Sequence, residues 1–342
     1  MSEAALIQGE LERLGLQGTP GRGNLPERVV SDQVSLLNRL WDVWRYRELL
    51  LSLVRKELKV KYKNSVLGFL WSMLNPALTL VIYWFVFQKV LGSPIPLFPV
   101  FLMCGLLAYN VFQNSLLPAC ESVVANAGIV KKVAFPREIL ALAPLGASLF
   151  FFLLQAVVLA IALAIFRVAP AVSYLPLLIP ALLALIVFTA GLSILLSAIN
   201  VYLRDTKHLL EILLMAWFWA CPIVYAYETV VPTLSRWHIP LWVLQLNPLT
   251  PIIMAFQRAI YGKAAPVIHQ KIALIVNGKQ VFNSNGAPVL VKVSTAVHVL
   301  PAHAGPLWYF WPLLGVIIFS VVVYVASLAV FIRLEGNFAE EL

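Results

Sequence analysis

The chain has 342 residues, of which 61% are hydrophobic and only 12% charged, and its mean hydropathy is +0.86. A soluble fold cannot hide that much apolar surface from water, so lipid is the expected solvent. The formal charge of +9 raises nucleic acid as a partner, but the basic residues gather near the amino terminus and in short segments between apolar runs, which argues for membrane topology instead.

Residues 1–40 mix Glu, Arg, Gly and Pro without the apolar run and small-residue cleavage site of a secretory signal, so a cytosolic amino-terminal segment is expected. From Trp41 to Lys63 the polar residues Arg45, Glu48, Ser52, Arg55, Lys56, Lys59 and Lys63 recur every three or four positions. Tyr46, Leu49, Leu50, Leu53 and Val54 lie largely opposite, the pattern of an amphipathic helix on the cytosolic leaflet. Glu57 and Lys61 stand off that stripe as an i, i+4 pair that either satisfies itself or touches a partner protein.

A helix needs about 20 apolar residues to cross the hydrocarbon core. Residues 64–262 supply five such runs, Asn64–Gln88, Phe98–Cys120, Ile139–Phe166, Leu175–Leu203 and Leu209–Tyr227, and residues 305–342 supply a sixth, Leu307–Ile332. Pro76, Pro118, Pro144, Pro180, Pro222 and Pro312 fall one in each, which a membrane helix tolerates where neighbours satisfy the freed carbonyl. Trp237–Gln257 is also uncharged, but Pro240, Pro248 and Pro251 divide it and predict a re-entrant pair of short helices, with a seventh span as the alternative. Residues 263–304 change to strand-like alternation with turns at Asn277-Gly278 and Asn285-Gly286, a small β insertion. The fold expected is an all-α polytopic membrane protein with six transmembrane helices, an interfacial helix, re-entrant helices and that insertion. Six spans place both termini together with Arg55–Lys63, Lys131, Lys132, Arg137, Arg204 and Lys207 on the cytosolic side, and place the re-entrant helices and the insertion on the extracytoplasmic side.

No Gly-x-x-x-x-Gly-Lys-Ser/Thr phosphate loop occurs, the five histidines are scattered, and Cys104, Cys120 and Cys221 lack metal-ligand spacing. The middles of the six runs carry no charge of the kind that ion-coupled carriers keep there. Neither a catalytic nor a metal site is expected, and the chain itself carries no cofactor, so the energy for any transport comes from another chain. Trp84, Tyr109, Trp217 and Tyr225 suit stacking on sugar rings, but for any one of them an interfacial belt or simple packing is the better account.

Four stretches in this order resemble the membrane subunit of ABC-2 type exporters that move lipid-linked polysaccharides such as O-antigen, capsule and teichoic-acid precursors. They are Lys59-Val-Lys-Tyr-Lys-Asn-Ser-Val-Leu-Gly-Phe-Leu-Trp71 with Pro76, Lys131-Lys-Val-Ala-Phe-Pro-Arg-Glu-Ile139, Asn200-Val-Tyr-Leu-Arg-Asp205, and Asn247-Pro248 followed by Arg258. The resemblance covers about Trp41–Gly262 and Leu307–Leu342. It implies a homodimer in the cytoplasmic (inner) membrane with two ABC ATPase subunits beneath it, which bind the ATP and Mg. It implies that Glu57, Ile129, Val130, Lys131, Lys132, Phe135, Pro136, Arg137, Arg204 and Asp205 couple to the ATPase, although Arg204 and Asp205 also suit a local salt link. Arg55, Lys56, Lys59, Lys61 and Lys63 would receive the phosphate head of a polyprenyl-linked polysaccharide, or equally anionic membrane lipid. Asn247, Pro248, Pro251 and Arg258 would form the extracytoplasmic gate, and the four aromatic residues above would line the conduit. The insertion at 263–304 is longer than the family pattern. An exporter of a small lipid or drug shares the same fold. A membrane glycosyltransferase or ligase would need exposed acidic residues, which outside Glu228 are almost missing from the extracytoplasmic segments.

Overall fold

The computed structural model describes residues 36–61, 70–93, 95–133, 135–238, 240, 242–262, 267–273, 275–276, 279–280, 290–296, 299–301 and 304–342. Lys63, the passage 62–69, residues 1–35 and both Asn-Gly turns lie outside the described residues.

In chain order the first helices are α1 (Leu36–Arg45), α2 (Arg47–Lys61), α3 (Leu70–Tyr83, prolonged by a π-helical turn to Val90), α4 (Phe98–Ala125), α5 (Ala127–Val130), α6 (Glu138–Ile165) and α7 (Leu178–Tyr202). Then follow α8 (Thr206–Ala220), α9 (Tyr227–Arg236), α10 (Trp242–Gln245), α11 (Leu249–Phe256, prolonged by a π-helical turn to Tyr261), α12 (Pro306–Glu335) and α13 (Phe338–Glu341). Between α11 and α12 the strands β1 (Val267–Ala273) and β4 (Leu290–Ala296) pair antiparallel with Ile272 opposite Val291, and β2 (Ile275–Val276) pairs with β3 (Lys279–Gln280).

Five helical segments, Leu70–Val90, Phe98–Ala125, Glu138–Ile165, Val172–Tyr202 and Pro306–Glu335, are long and apolar enough to cross a membrane. They match the expected first, second, third, fourth and sixth spans. The fifth is corrected: instead of running through Pro222 to Tyr227, α8 stops at Ala220 after 15 residues, about 22 Å at 1.5 Å per residue. The cause is Pro222. It forces Cys221 out of the helical region, to φ −101° and ψ 144°, and the chain turns before α9 begins. Pro76, Pro118, Pro144 and Pro312, by contrast, sit inside continuous helices. The stretch 237–257 contains no long helix among its described residues; it holds α10 and most of α11.

The single amphipathic helix expected from Trp41 to Lys63 is two, bent at Tyr46, whose N–H still bonds the Asp42 carbonyl at 2.9 Å. Although no residue of α2 is buried, the helix packs along α6, and the approach is close because residue 146 is glycine. A Cβ there would stand 2.6 Å from Val54 Cγ2. A similar contact joins α7 to α12, where a Cβ on Gly191 would meet the Tyr324 backbone at 2.9 Å. The hub is α4, buried along most of its length against α6, α7 and α11. Two helices are almost unpartnered: α3 buries only Leu80, and α8 only Leu210 and Leu214.

Candidate functional site

One face of α4 is not covered. Asn110, Gln113 and Asn114 follow at i, i+3 and i+4, so they share a side of the helix, and that side opens between the unpartnered α3 and α8. Toward α3 lies a cavity of about 640 Å³ lined by Asn75, Thr79, Tyr83, Asn110, Asn114 and Gln155, with Trp71 and Lys61 at its edge. Asn110 Nδ2 donates to Gln155 Oε1 at 2.9 Å, linking α4 to α6 within the lining. A second hollow of about 340 Å³ shares Lys61, Asn114 and Phe151 and adds Gln113 and Glu57, while a third of about 220 Å³ runs from Gln113 to Glu211 and Met215 on α8. The amide stripe is therefore the floor of three contiguous hollows. The bond between Asn110 and Gln155 satisfies only part of this polar capacity, and amide groups left unpaired against hydrocarbon would cost several kcal/mol each, so this face calls for water, a polar cargo or a second protein surface.

Lys61 is the cation of this site. Its Nζ sits 4.0 Å from the centroid of the Phe151 ring, and among the described residues no carboxylate pairs with it. The partial burial pulls its ammonium below the usual lysine value, because burial disfavours the charged form. Of the two readings of Glu57 and Lys61, mutual pairing is not what is found. Arg55, Lys56 and Lys59 are exposed along α2, and Lys56 Nζ donates to Asn126 Oδ1 at 2.9 Å, just ahead of α5.

Three of the four aromatic residues expected in a conduit lie outside the 640 Å³ cavity and the 220 Å³ hollow alike. Trp217 donates to Asn247 Oδ1 at 2.9 Å and packs edge-on against Phe112, and Tyr225 donates to the Trp219 carbonyl. Trp84 lies under Lys89, 5.4 Å from its ring centroid. Tyr109 borders the third hollow, but its hydroxyl is spent on the Leu214 carbonyl. The aromatic residues at the large cavity are Trp71, Tyr83 and Phe151. The amides are site residues that neither mid-span charge nor aromatic content marks; the signal for them is the spacing Asn110-x-x-Gln113-Asn114 in an apolar run.

The residues expected to form a gate are knotted together. Asn247 accepts from Trp217 and from the Leu249 N–H at 3.1 Å, and donates to the Ala220 carbonyl at 3.3 Å and to Cys221 Sγ at 3.2 Å. It thereby joins the end of α8 to the start of α11, whose residues are all buried, Pro251 included. Pro248 caps α11, and Arg258 donates to the Gly262 carbonyl at 2.8 Å while its guanidinium lies 4.2 Å from the Tyr174 ring centroid.

The opposite, basic end carries the loop between α4 and α6. Here Ile129 and Val133 are 43% and 55% exposed, Lys131 and Lys132 are exposed, and Val130 and Pro136 are buried. Phe135 packs partly against the apolar cluster below, and Arg137 turns inward to the Glu335 carbonyl at 2.7 Å. Arg204 and Asp205 are exposed, and no ion pair among the described residues joins them. Lys207 and Glu121, 2.7 Å apart, tie the start of α8 to the last turns of α4.

Against known proteins, residues 48–261 match the ABC-2 type transporter family. Two O-antigen export system permease proteins of Klebsiella pneumoniae are similar, one 32% identical over 69% of this chain and 91% of its own length, the other 33% identical over 61% and 79%. An O-antigen export system permease protein of Myxococcus xanthus is 32% identical over 68% of this chain and 88% of its own length.

Proposed function

The chain belongs to the ABC-2 type transporter family as a multi-pass transport subunit, and on that premise we propose that it forms the conduit through which an ATP-driven exporter moves a lipid-linked polysaccharide out of the cytosol. The observation that carries this reading is the amide stripe on α4 with its cavity of about 640 Å³. Neutral amides and hydroxyls beside Trp71 and Tyr83 suit a polyhydroxylated chain, which gives and takes hydrogen bonds along its length and stacks its rings. An apolar drug or acyl chain would leave those amides unsatisfied. The names of the three relatives agree with this cargo class.

The route needs a second copy and a motor. The exposed apolar faces of α3 (Leu78, Val81, Phe85) and α8 (Ile212, Met215, Trp219) flank the stripe, so two copies meeting there would close it into a conduit shielded from lipid. The motor is a pair of ABC ATPase subunits seated on Ile129 and Val133, with Lys131, Lys132, Arg204 and Asp205 around them. Arg55, Lys56, Lys59 and Lys63 hold the anionic head of the carrier lipid at the cytosolic leaflet, and Lys61 passes it to the cavity.

Both termini are assigned to the cytosol. Asn247 bonds α8's last residue, whereas Tyr261, 14 residues on, donates to the Pro96 carbonyl in the α3–α4 loop at 2.7 Å. These two bonds support a segment that dips inward and returns to the extracytoplasmic end, with α8 and residues 221–226 as the fifth of six crossings in chain order.

The test is to purify the tagged chain in mild detergent, identify the soluble ATPase that accompanies it, and reconstitute the pair with candidate cargo. Equal amounts of an ABC ATPase and ATP-dependent movement of lipid-linked glycan, reduced about tenfold by Asn110→Leu with Asn114→Leu, are expected, a loss of roughly 1.4 kcal/mol in flux. Movement of an acyl lipid or drug in preference to glycan would overturn the cargo assignment.

A further inference from the structure

The basic end has an apolar core of its own, separate from the one that fills the rest of the bundle. Val123 of α4, Val130 of α5, Ile194 and Val201 of α7, and Phe331 and Phe338 from the end of the chain build it. The Tyr202 hydroxyl donates to the Leu334 carbonyl at 2.8 Å, which fixes α7 to the last turn of α12.

Four charges close over this core. Arg137 bonds the Glu335 carbonyl at 2.7 Å and lies 3.6 Å from its carboxylate, the same carboxylate accepts from Arg39 at 2.9 Å, and Arg39 reaches Glu138 at 3.7 Å. The four groups come from four places: α1, the end of the loop 126–137, the first residue of α6 and the last residue of α12. Glu138 is fully buried, and neither of its carboxylate oxygens has a hydrogen bond.

We propose that this quartet is a rigid joint, with Arg39, Arg137 and Glu335 as positioning residues. It locks the loop 126–137 to α12 and α7, so that a push on α5 moves those helices as one body. The proposal rests on the reading of that loop as the ATPase seat. A lone surface ion pair would yield to such a push. Here a largely buried carboxylate is shared between two guanidiniums, and removing either partner strands charge away from water, which makes the connection stiff in the way force transmission requires.

The test uses the full complex with its ATPase in vesicles and reads glycan moved per ATP hydrolysed. Glu335→Gln and Arg39→Gln each keep side-chain bulk and remove one charge. Both are expected to leave the ATPase rate near wild type while the ratio falls about threefold or more, and the double variant falls no further than the worse single, because the groups act as one network. Joining Arg137→Cys to Glu335→Cys with a short bis-maleimide should restore the ratio; the three native cysteines are buried, which confines the bridge to the new pair. An unchanged ratio in both single variants overturns the joint while leaving export intact. Loss of flux and ATPase activity in equal proportion also overturns it, since that is loss of assembled complex. A wild-type complex that moves no glycan removes the transport reading and the joint with it.

Discussion

The two ends of the bundle are held by different forces. At the far end α11 is wholly buried, and its ties run mainly through neutral groups: Asn247 joins α8 to α11, Gln257 donates to the Pro222 carbonyl at 2.8 Å, and Tyr261 reaches Pro96, while the one charged tie, Arg258, goes to a backbone carbonyl and an aromatic ring and not to a carboxylate. At the basic end a small apolar core is closed by four charges, and Ile129 and Val133 stand out from it. Neutral hydrogen bonds in a dry interior fix a geometry, whereas charges near an aqueous boundary can hold a loop stiffly and still let it meet a soluble partner. On the proposed reading of the loop 126–137 as the ATPase seat, the difference separates a part that keeps its shape from a part that is pushed.

The largest way to break this contrast is Phe338→Ala. Phe338 is fully buried against Phe331 at 5.4 Å between ring centroids, so its removal should cost about 3–5 kcal/mol, confined to one end. Hydrogen–deuterium exchange is expected to rise in 127–133 and 331–342 and stay unchanged in 249–261; an equal rise at both ends would mean that they open together. Next comes Asn247→Ala, which strands the Trp217 indole N–H and the Leu249 N–H. A loss of about 1–3 kcal/mol per unsatisfied group is expected, with exchange now rising around 249–261. The smallest effect is assigned to Arg204→Ala and Asp205→Ala. Both side chains are exposed and form no ion pair among the described residues, so thermal stability in detergent should stay within about 0.5 kcal/mol of wild type. Their effect, if they meet the ATPase, is on assembly with it, and a large loss of stability would reveal a structural role.

Much of this architecture is legible in the chain. Uncharged runs bounded by Lys63 and Lys89, by Glu138 and Arg167, and by Arg333 locate three of the long helices, and Pro240 and Pro248 mark where short ones replace a span. The fate of Pro222 is not legible, because a proline bends or ends a helix according to what receives the freed carbonyl. Here the Phe218 carbonyl that Pro222 cannot bond accepts from the Cys221 N–H at 3.3 Å, Asn247, 27 residues away in sequence, donates to the Ala220 carbonyl, and the helix stops. The joint at Arg39 and Glu335 is equally out of reach, since the pair is 296 residues apart and each reads alone as a solvated charge at a helix end. The amide stripe was within reach, for its spacing alone marks one helix face. Each amide taken alone reads as an isolated polar residue without charge, so only the three- and four-residue spacing distinguishes the face.

The burial of Phe338 also bears on the order in which the molecule is completed. Val123, Val130, Ile194 and Val201 all leave the ribosome before Phe331 and Phe338 exist, so the core at the basic end stays uncapped until synthesis has passed the last span. On the proposed reading, a partner that needs the loop 126–137 in this packing would favour chains in which Phe331 and Phe338 have been made over shorter ones.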